Sequence, residues 1–149
     1  MNIQAESPKQ PEVIAMLEQL DAYFGALYPA ESNHLMDVDS LARPEVTFLV
    51  ARDDDGRAVG CGAVVDRGGY GEVKRMYVAP AARGRQVGAG LMEQLVQRAR
   101  AAGLPLLRLE LGISQPEASA LYASRGFMPI PPFGDYQPDP LSIFMEKAL

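Results

Sequence analysis

One stretch of this 149-residue sequence decides the fold: Ala79-Pro80-Ala81-Ala82-Arg83-Gly84-Arg85-Gln86-Val87-Gly88-Ala89-Gly90. It follows a predicted strand and leads into a predicted helix, and free backbone N–H groups at a helix start attract anions. Gly84, Gly88 and Gly90 allow a phosphate oxygen to approach the backbone without a Cβ in the way. Arg83 and Arg85 supply charge that pairs with phosphate. The stretch therefore predicts a phosphate site, with an ordinary solvated helix cap as the alternative.

Two well-known phosphate loops do not fit this stretch. The Walker loop requires Gly-Lys followed by Ser or Thr, and the sequence has no such tripeptide. The dinucleotide-binding loop places its glycines early in a parallel sheet, whereas here they follow a meander of strands. Neither nucleotide-binding class is therefore expected.

The three segments before the loop are predicted to be antiparallel strands. Residues 46–52, 57–65 and 72–78 have the composition and length of strands. Turn sequences at 53–56 and 66–69 separate them, and each turn contains glycine. We therefore expect a three-stranded meander that ends at the loop.

The apolar spacing predicts helices on both sides of this meander. From Pro11 to Pro29 an apolar stripe recurs at spacings of three and four, formed by Val13, Leu17, Leu20, Phe24 and Leu27. A second helix begins after the loop and ends at Gly103, a natural C-terminal cap. A third covers residues 116–124, with proline in its first turn. Residues 30–44 are predicted to form a short helix or a loop.

Two further strands complete the pattern. Leu107, Leu109 and Leu111 alternate with polar residues, which predicts a half-buried strand over 106–111. A strand, a helix and a strand within about 40 residues predict a right-handed crossover between parallel strands. Residues 142–147 are predicted to be a closing strand.

Two blocks of the sequence resemble the GNAT superfamily of N-acetyltransferases. That family binds its cofactor with Arg/Gln-x-x-Gly-x-Gly/Ala after a strand that ends in Val-x-Pro, and this chain has Val78-Ala79-Pro80 before the loop. The second block is Gln115-Pro116-Glu117-Ala118-Ser119-Ala120-Leu121-Tyr122-Ala123-Ser124-Arg125-Gly126-Phe127. It is similar to the family's Asn-x-x-Ala-x-x-Leu-Tyr-x-x-x-Gly-Phe, and the two blocks follow the family's order. The Tyr28–His34 block and the Pro-rich segment at 131–140 resemble a subgroup of uncharacterised bacterial GNAT proteins.

The chain departs from the family pattern at two positions. Gln86 stands where the commonest register of the loop has glycine, although a frame shifted to Arg85 and Gly88 satisfies the pattern literally. Both registers therefore remain open. Gln115 replaces the usual asparagine with a longer amide.

The resemblance implies an α/β fold: a mixed, mostly antiparallel sheet of six to seven strands with helices on both faces, in one N-acetyltransferase domain over residues 1–149. It also implies that acetyl-CoA lies between two parallel strands that splay apart, 72–78 and 106–111, and needs no metal. The implied cofactor contacts are Met76, Tyr77, Val78, Arg83, Gly84, Arg85, Gln86, Val87, Gly88, Ala89, Gly90, Gln115 and Tyr122. A backbone N–H in the splay would stabilise the thioester oxygen.

An amine nucleophile must lose a proton and the departing thiolate should gain one, so the site needs a base and an acid. Tyr122 matches the family's tyrosine near the cofactor sulfur and is the acid candidate, with a core tyrosine as the alternative. Glu72 matches a catalytic glutamate of some members and is the favoured base, although it could equally be a surface residue paired with Lys74. Glu110 and His34 are the other candidates for the base.

The acceptor is expected to bind between two irregular segments that combine aromatic and acidic groups. Tyr28, Glu31 and His34 lie in the first, and Tyr136 lies in the second, Pro-rich one at 131–140. Loops on a rigid scaffold commonly carry specificity, and ordinary connecting loops are the alternative.

Composition narrows the range of partners. The net charge of −5 argues against a nucleic-acid partner, because phosphate backbones reward a basic surface. No apolar run approaches about 20 residues and the N-terminus lacks the pattern of a signal peptide, so we expect a cytoplasmic protein without a membrane partner. The single cysteine, Cys61, is predicted to be a buried structural thiol.

The sequence thus predicts direct attack of a primary amine on acetyl-CoA in a ternary complex. A small, cationic acceptor is favoured, and a protein lysine or N-terminus is an alternative. A non-catalytic acyl-CoA-binding or regulatory domain is the rival from another class. A homodimer is left open.

Overall fold

The computed structural model describes residues 1–149 and is built on one seven-stranded sheet. The strands are β1 (Asn2–Ala5), β2 (Val46–Arg52), β3 (Ala58–Asp66), β4 (Gly71–Val78), β5 (Leu106–Gly112), β6 (Met128–Ile130) and β7 (Ser142–Ala148). Their order across the sheet is β1-β2-β3-β4-β5-β7-β6. Only β4 and β5 pair in parallel, and every other neighbouring pair is antiparallel. The mixed, mostly antiparallel sheet predicted from the sequence is confirmed.

Four helices accompany the sheet: α1 (Pro11–Leu27), α2 (Val38–Leu41), α3 (Val87–Ala101) and α4 (Pro116–Ser124). Short 3₁₀ turns cover Ala30–Ser32 and Pro80–Ala82. Both α1 and α4 begin at the prolines that the sequence indicates, because proline has no N–H to leave unpaired in a first turn. The side chain of Asp37 caps α2 by accepting the N–H of Ser40 at 2.7 Å. No helix is both long and apolar enough to cross a bilayer.

The two faces of the sheet bury separate apolar clusters. On one face, Leu91 and Leu95 of α3 pack with Leu107 and Leu109 of β5, and Tyr122 of α4 joins them. On the other face, the buried side of α1 packs against β2 and β3, with Val13, Leu17, Phe48 and Val50 in contact. Helices therefore cover both faces, as predicted.

Strands β4 and β5 separate soon after they begin. Their parallel pairing is confined to Gly71 with Leu107 and Glu72 with Arg108. Beyond that point β4 stays paired with β3, and β5 stays paired with β7 along its whole length. The sheet consequently opens between the C-terminal halves of β4 and β5, as the family resemblance implies.

A β-bulge lies in β4 beside this opening. Arg75 and Met76 together face the single residue Gly62 of β3, and Arg75 has a left-handed backbone with φ of 57°. A Cβ at Gly62 would lie 2.5 Å from the sulfur of Met76, so a larger residue opposite the bulge would require the Met76 side chain to move. The extra residue lets the neighbouring side chains of Lys74 and Arg75 both reach the α1 side of the sheet.

Candidate functional site

A cavity occupies the opening between β4 and β5. Its floor comes from both strands, one wall comes from the end of α1 and the segment after it, and α4 closes the far side. The lining residues are Phe24, Tyr28, Ser32, Asn33, His34, Leu35, Val73, Lys74, Arg75, Met76, Leu109, Glu110, Leu111, Gln115 and Tyr122. Apolar walls with a few charged groups on the floor are typical of a small-molecule site.

The loop before α3 presents a row of unpaired backbone donors. The N–H groups from Gly84 through Ala89 donate to no protein acceptor, and no side chain caps the helix. Gly84 and Gln86 both have left-handed backbones, with φ of 82° and 61°. A left-handed residue at every second position turns successive N–H groups toward one side of the loop. The N–H groups then form an anion-binding concavity at the positive end of the helix.

The left-handed residues of the loop come before the helix begins. The left-handed residues are Gly84 and Gln86, whereas Gly88 and Gly90 lie in the first turn of α3. Gln86, which stands where the commonest register has glycine, therefore takes a left-handed position that glycine would adopt without steric cost. Arg83 and Arg85 are exposed beside it, and the Nε of Arg83 lies 3.4 Å from the carbonyl oxygen of Val78.

Gly88 lies at the narrow point between α3 and α4. A Cβ on this residue would lie 3.2 Å from Cδ2 of Leu121 and 3.7 Å from Cγ2 of Val78. A larger side chain would therefore crowd Leu121 and Val78 beside the unpaired N–H groups. The row of unpaired donors fits the pyrophosphate of acetyl-CoA.

The three β4 residues predicted to contact the cofactor differ in the direction of their side chains. Tyr77 is buried against α1, and its hydroxyl donates a 2.9 Å hydrogen bond to Oε1 of Gln19. Met76 and Val78 lie on the opposite face and pack against the α3 cluster. Only the backbone of Tyr77 is therefore available to a ligand in the opening.

Tyr122 is buried on α4 at the side of the cavity. Its ring meets the edge of Phe127 with the centroids 5.7 Å apart, and its hydroxyl forms no hydrogen bond with the protein. Burial raises the pKa of the phenol well above its ordinary value, so the hydroxyl carries its proton at neutral pH. Tyr122 lines the cavity and therefore brings a protonated donor without a protein partner to this site.

Glu72 is buried, and partners occupy its carboxylate. One oxygen accepts from Arg67 at 3.0 Å, and the other accepts a 2.6 Å hydrogen bond from the hydroxyl of Tyr136. Lys74 lies 3.7 Å from the same carboxylate. Glu72 lines a second, neighbouring pocket rather than the cavity itself; the other residues there are His34, Arg67, Tyr70, Gly134, Asp135 and Tyr136.

Glu110 lies on the floor of the cavity and has a free oxygen. Its Oε2 accepts a 2.9 Å hydrogen bond from the hydroxyl of Ser142, and its Oε1 has no protein partner. Burial raises the pKa of the carboxyl group, while the bond from Ser142 and the charges of His34 and Lys74 oppose that rise. Burial likewise lowers the pKa of Lys74, whose ammonium group donates to the carbonyl of His34 at 2.7 Å.

Gln115 and Tyr28 meet at the end of β5. Oε1 of Gln115 accepts the N–H of Gly112 at 3.0 Å and lies 3.4 Å from the hydroxyl of Tyr28. That hydroxyl also accepts the N–H of Ser114 at 3.0 Å, and it fills the space that a Cβ on Gly112 would need. The side-chain nitrogen of Gln115 keeps its donors free in the cavity.

The structure brings together some of the predicted acceptor residues. Tyr28 and His34 line the cavity, and the rings of His34 and Tyr136 meet edge to face at 5.0 Å. Tyr136 lines the second pocket, while Glu31 is exposed and lines neither. Asn33, within the predicted Tyr28–His34 segment, also lines the cavity. The sequence analysis did not name Phe24 as a site residue, because it belongs to the apolar stripe of α1; it packs on the core cluster and lines the cavity as well.

Cys61 is a structural thiol, as predicted. It is fully buried in β3, burial raises its pKa to about 12, and its sulfur lies 3.4 Å from the carbonyl oxygen of Arg75. A thiol with so high a pKa is a poor nucleophile at neutral pH. No cluster of three or more His, Cys, Asp or Glu side chains has an arrangement that suits a metal ion.

Comparison with known proteins agrees with this geometry. The family model described as acetyltransferase (GNAT) family matches residues 13–127. A protein of Azospirillum brasilense named IAA acetyltransferase is 55% identical, over 100% of this chain and 98% of its own length. A crystal structure from Klebsiella pneumoniae, provisionally described as an acyl-CoA N-acyltransferase, is 40% identical with a TM-score of 0.84, over 99% of this chain and 97% of that one.

More distant structures share the fold alone. The PaiA N-acetyltransferase of Thermoplasma acidophilum, crystallised with coenzyme A, is 17% identical with a TM-score of 0.72, and the match covers 100% of both chains. The family model spans most of the sequence, and the Azospirillum relative matches it end to end. The chain therefore belongs to the GNAT family of acetyltransferases.

Proposed function

We propose that this acetyl-CoA-dependent N-acetyltransferase transfers the acetyl group to a primary amine of a small molecule, by direct attack in a ternary complex. The observation that carries the proposal is that the unpaired N–H groups and the cavity both adjoin α4. The N–H groups of Gly84 to Ala89 donate to no protein acceptor and Gly88 lies next to Leu121, while the following residue of α4, Tyr122, lines the cavity together with Glu110. A ligand anchored by phosphate at the loop would extend its acyl end toward these two side chains.

Acetyl-CoA supplies an acetyl group that is activated as a thioester. The N–H groups of the loop, together with Arg83 and Arg85, would hold its pyrophosphate. The edge of β4 that β5 leaves unpaired offers backbone groups of Met76 and Val78 to the pantetheine amides, as an added strand would. The free amide nitrogen of Gln115 is a further donor. These contacts orient the acyl end and require no metal.

Glu110 is the better placed of the two carboxylates to accept the proton of the amine. Glu110 lines the cavity and its Oε1 has no protein partner, whereas the oxygens of Glu72 accept from Arg67 and Tyr136. A buried carboxyl group with a raised pKa is also a stronger base than an exposed one. Glu72 remains the second candidate, since a ligand that displaced Tyr136 would free one of its oxygens.

Tyr122 is proposed to donate its proton at the departing sulfur. Its hydroxyl has no protein partner to compete with that donation. Its raised pKa keeps the phenol protonated at neutral pH, so its O–H can hydrogen-bond to the sulfur as negative charge develops there and share its proton with the departing thiolate. Two different protons move: Glu110 gains one from the amine, and Tyr122 gives another to the sulfur. Exchange with solvent would then deprotonate Glu110 and reprotonate Tyr122.

The walls of the cavity favour a compact acceptor. Phe24 and Tyr28 pack together with ring centroids 6.2 Å apart, and Leu35 lies nearby on the following segment. These apolar groups suit an organic body, while the free oxygen of Glu110 suits a cationic amine. The Azospirillum brasilense relative is named for IAA, so IAA belongs in the first panel of acceptors tested.

Thiol release from acetyl-CoA over a panel of acceptors tests the proposal. The panel should contain small primary amines, IAA, and a lysine-containing peptide with a free N-terminus. Faster release with at least one small acceptor is the expected result. Release with the peptide alone would favour a protein substrate, and binding of acetyl-CoA without release for any acceptor would favour a non-catalytic acyl-CoA-binding domain.

A further inference from the structure

Arg75 occupies an unusual backbone position at the point where β4 leaves β5. Its φ of 57° is left-handed, and it is the first residue of a bulge, a position that glycine commonly fills. L-residues with a Cβ avoid this region because of steric conflict with the carbonyl oxygen. The surroundings must therefore hold the backbone of Arg75 in place.

The side chain of Arg75 makes one strong contact with the opposing helix. Its Nη1 forms an ion pair of 2.6 Å with Asp21 of α1, and its Nη2 lies 3.5 Å from the carbonyl oxygen of Leu17. The side chain is only 3% exposed, and its Nε is buried without any hydrogen-bond partner. A buried guanidinium with an unsatisfied donor is unfavourable for folding.

The fold alone gives no reason for arginine at this position. A glycine would adopt the left-handed backbone freely and would bury no charge, but it would also adopt other conformations. Arginine tethered to Asp21 restricts the bulge to one conformation. The same tether fixes α1 relative to the bulge, and Phe24 of its last turn and Tyr28 directly after it line the cavity.

We propose that Arg75 is a positioning residue: its ion pair with Asp21 holds the β4 bulge so that the backbone beside the opening meets the acetyl thioester. This inference rests on the proposed function, because it concerns the site where the acetyl group would lie. We therefore expect Arg75 to contribute to binding of the acetyl group of acetyl-CoA and not to binding of the rest of the cofactor.

The test compares the binding of acetyl-CoA with the binding of CoA, which needs no acceptor. Asp21→Asn removes the charge but keeps the shape of the partner. We expect the affinity for CoA to stay within about twofold of wild type, while the preference for acetyl-CoA over CoA disappears. With an acceptor that supports turnover, kcat should fall roughly 10- to 100-fold, the effect expected of a small misplacement of the reacting group.

A double-mutant cycle separates positioning from general stability. In the Arg75→Gly background the tether is already absent, so adding Asp21→Asn should change neither the acetyl-CoA preference nor kcat. Gln19→Ala is the matched control, because it also breaks a hydrogen bond between α1 and β4 but at Tyr77, beyond the bulge. It should keep the wild-type preference for acetyl-CoA.

The proposal fails if Asp21→Asn keeps the preference for acetyl-CoA, or if Gln19→Ala loses it equally, since helix docking would then explain the effect. If Asp21→Asn does not fold, Arg75→Gly alone carries the test, and an unchanged preference in that variant overturns the proposal. Absence of turnover with every acceptor would instead count against the proposed function, because the binding measurement does not depend on it.

Discussion

The hydroxyl of Tyr136 donates a 2.6 Å hydrogen bond to the carboxylate of Glu72. The sequence analysis gave these two residues separate roles, one in the acceptor wall and one as the base. In the structure they bind each other, and Arg67 and Lys74 surround the same carboxylate. This contact anchors the Pro-rich segment at 131–140 to the sheet.

Loss of the Tyr136 hydroxyl should therefore destabilise the fold. Hydrogen bonds to charged groups contribute about 1.5–3 kcal/mol each, so Tyr136→Phe should lower the free energy of unfolding by about that amount. Denaturant unfolding would measure the change. Tyr23→Phe, at an exposed position on α1, is the control and should leave stability unaltered. Equal stability of both variants would mean that Tyr136 does not anchor the segment.

The pH dependence of turnover should reveal the protonation of Glu110. Its folded pKa lies above the ordinary 4.5 because of burial, and a protonated carboxyl group cannot accept a proton. The value of kcat/KM should fall as the pH is lowered through that raised pKa. Glu110→Gln should reduce kcat/KM by about 10²- to 10⁴-fold and remove this acidic limb. An acidic limb that persists in Glu110→Gln but vanishes in Glu72→Gln would assign the base to Glu72.

The raised pKa of Glu110 also makes the stability of the folded state depend on pH. Because the folded pKa of Glu110 exceeds the unfolded one, the folded state binds more protons between the two values, and stability falls as the pH rises through that window. Glu110→Gln should accordingly unfold at a higher temperature than wild type at pH 7, and the advantage should shrink below pH 4.5. Melting curves at the two pH values would measure this, and a less stable variant at pH 7 would contradict the account.

Replacement of Gln86 by glycine should stabilise the folded protein. Its left-handed backbone costs a residue with a Cβ about 1–2 kcal/mol, so Gln86→Gly should raise the free energy of unfolding by up to about 1 kcal/mol after the entropy of glycine is included. Gln97→Gly is the matched control in the middle of α3, where glycine should cost about 0.5–1 kcal/mol. Destabilisation by both substitutions would argue against the left-handed conformation.

Gly88 should be required for cofactor binding. Gly88→Val places carbon atoms beside Leu121 and in the path to the N–H groups, so the affinity for acetyl-CoA should fall at least tenfold, about 1.4 kcal/mol. Titration with acetyl-CoA followed by calorimetry would measure this. The same substitution at Gly25, which has open space around it in α1, should leave the affinity unaltered. Wild-type affinity in Gly88→Val would mean that the phosphates bind elsewhere.

Tyr122→Phe should separate binding from chemistry. The ring and its packing on Phe127 remain, and the hydroxyl has no protein partner to lose, so fold and acetyl-CoA affinity should stay near wild type. If the phenol donates the proton to sulfur, kcat should fall by about 10²- to 10⁴-fold, or less if water substitutes for it. A normal kcat would show that Tyr122 serves only in packing. Weaker binding of acetyl-CoA with an unchanged kcat would show that Tyr122 contacts the cofactor without donating a proton.

Local patterns were sufficient to predict much of the fold. Helix α4 has the predicted bounds because proline and the apolar spacing are short-range signals. The meander followed from strands separated by glycine turns. Strand β1 was missed because Asn2–Ala5 is a short edge strand, mostly exposed, without an alternating pattern. Strand β6 was missed because it has three residues, one of them proline.

The site could be predicted only in part. The loop and Tyr122 lie in contiguous motifs, so their positions in the structure follow from the order of elements. The left-handed backbone of Arg75 gave no signal, since residues 72–78 contain no glycine, and its partner Asp21 is 54 positions away in the sequence. The choice between Glu72 and Glu110 depends on Tyr136 and Ser142, 64 and 32 positions away, and only the tertiary structure brings those partners together.

The central claim is that the acetyl group of acetyl-CoA passes to a small primary amine in this cavity. The most direct measurement incubates the protein with acetyl-CoA and an active acceptor, and quantifies both the released thiol and the N-acetylated amine by mass spectrometry. The account predicts one acetylated amine for each thiol released, with Glu110→Gln slowing both equally. Thiol released without acetylated amine, or no thiol released with any acceptor, would contradict it.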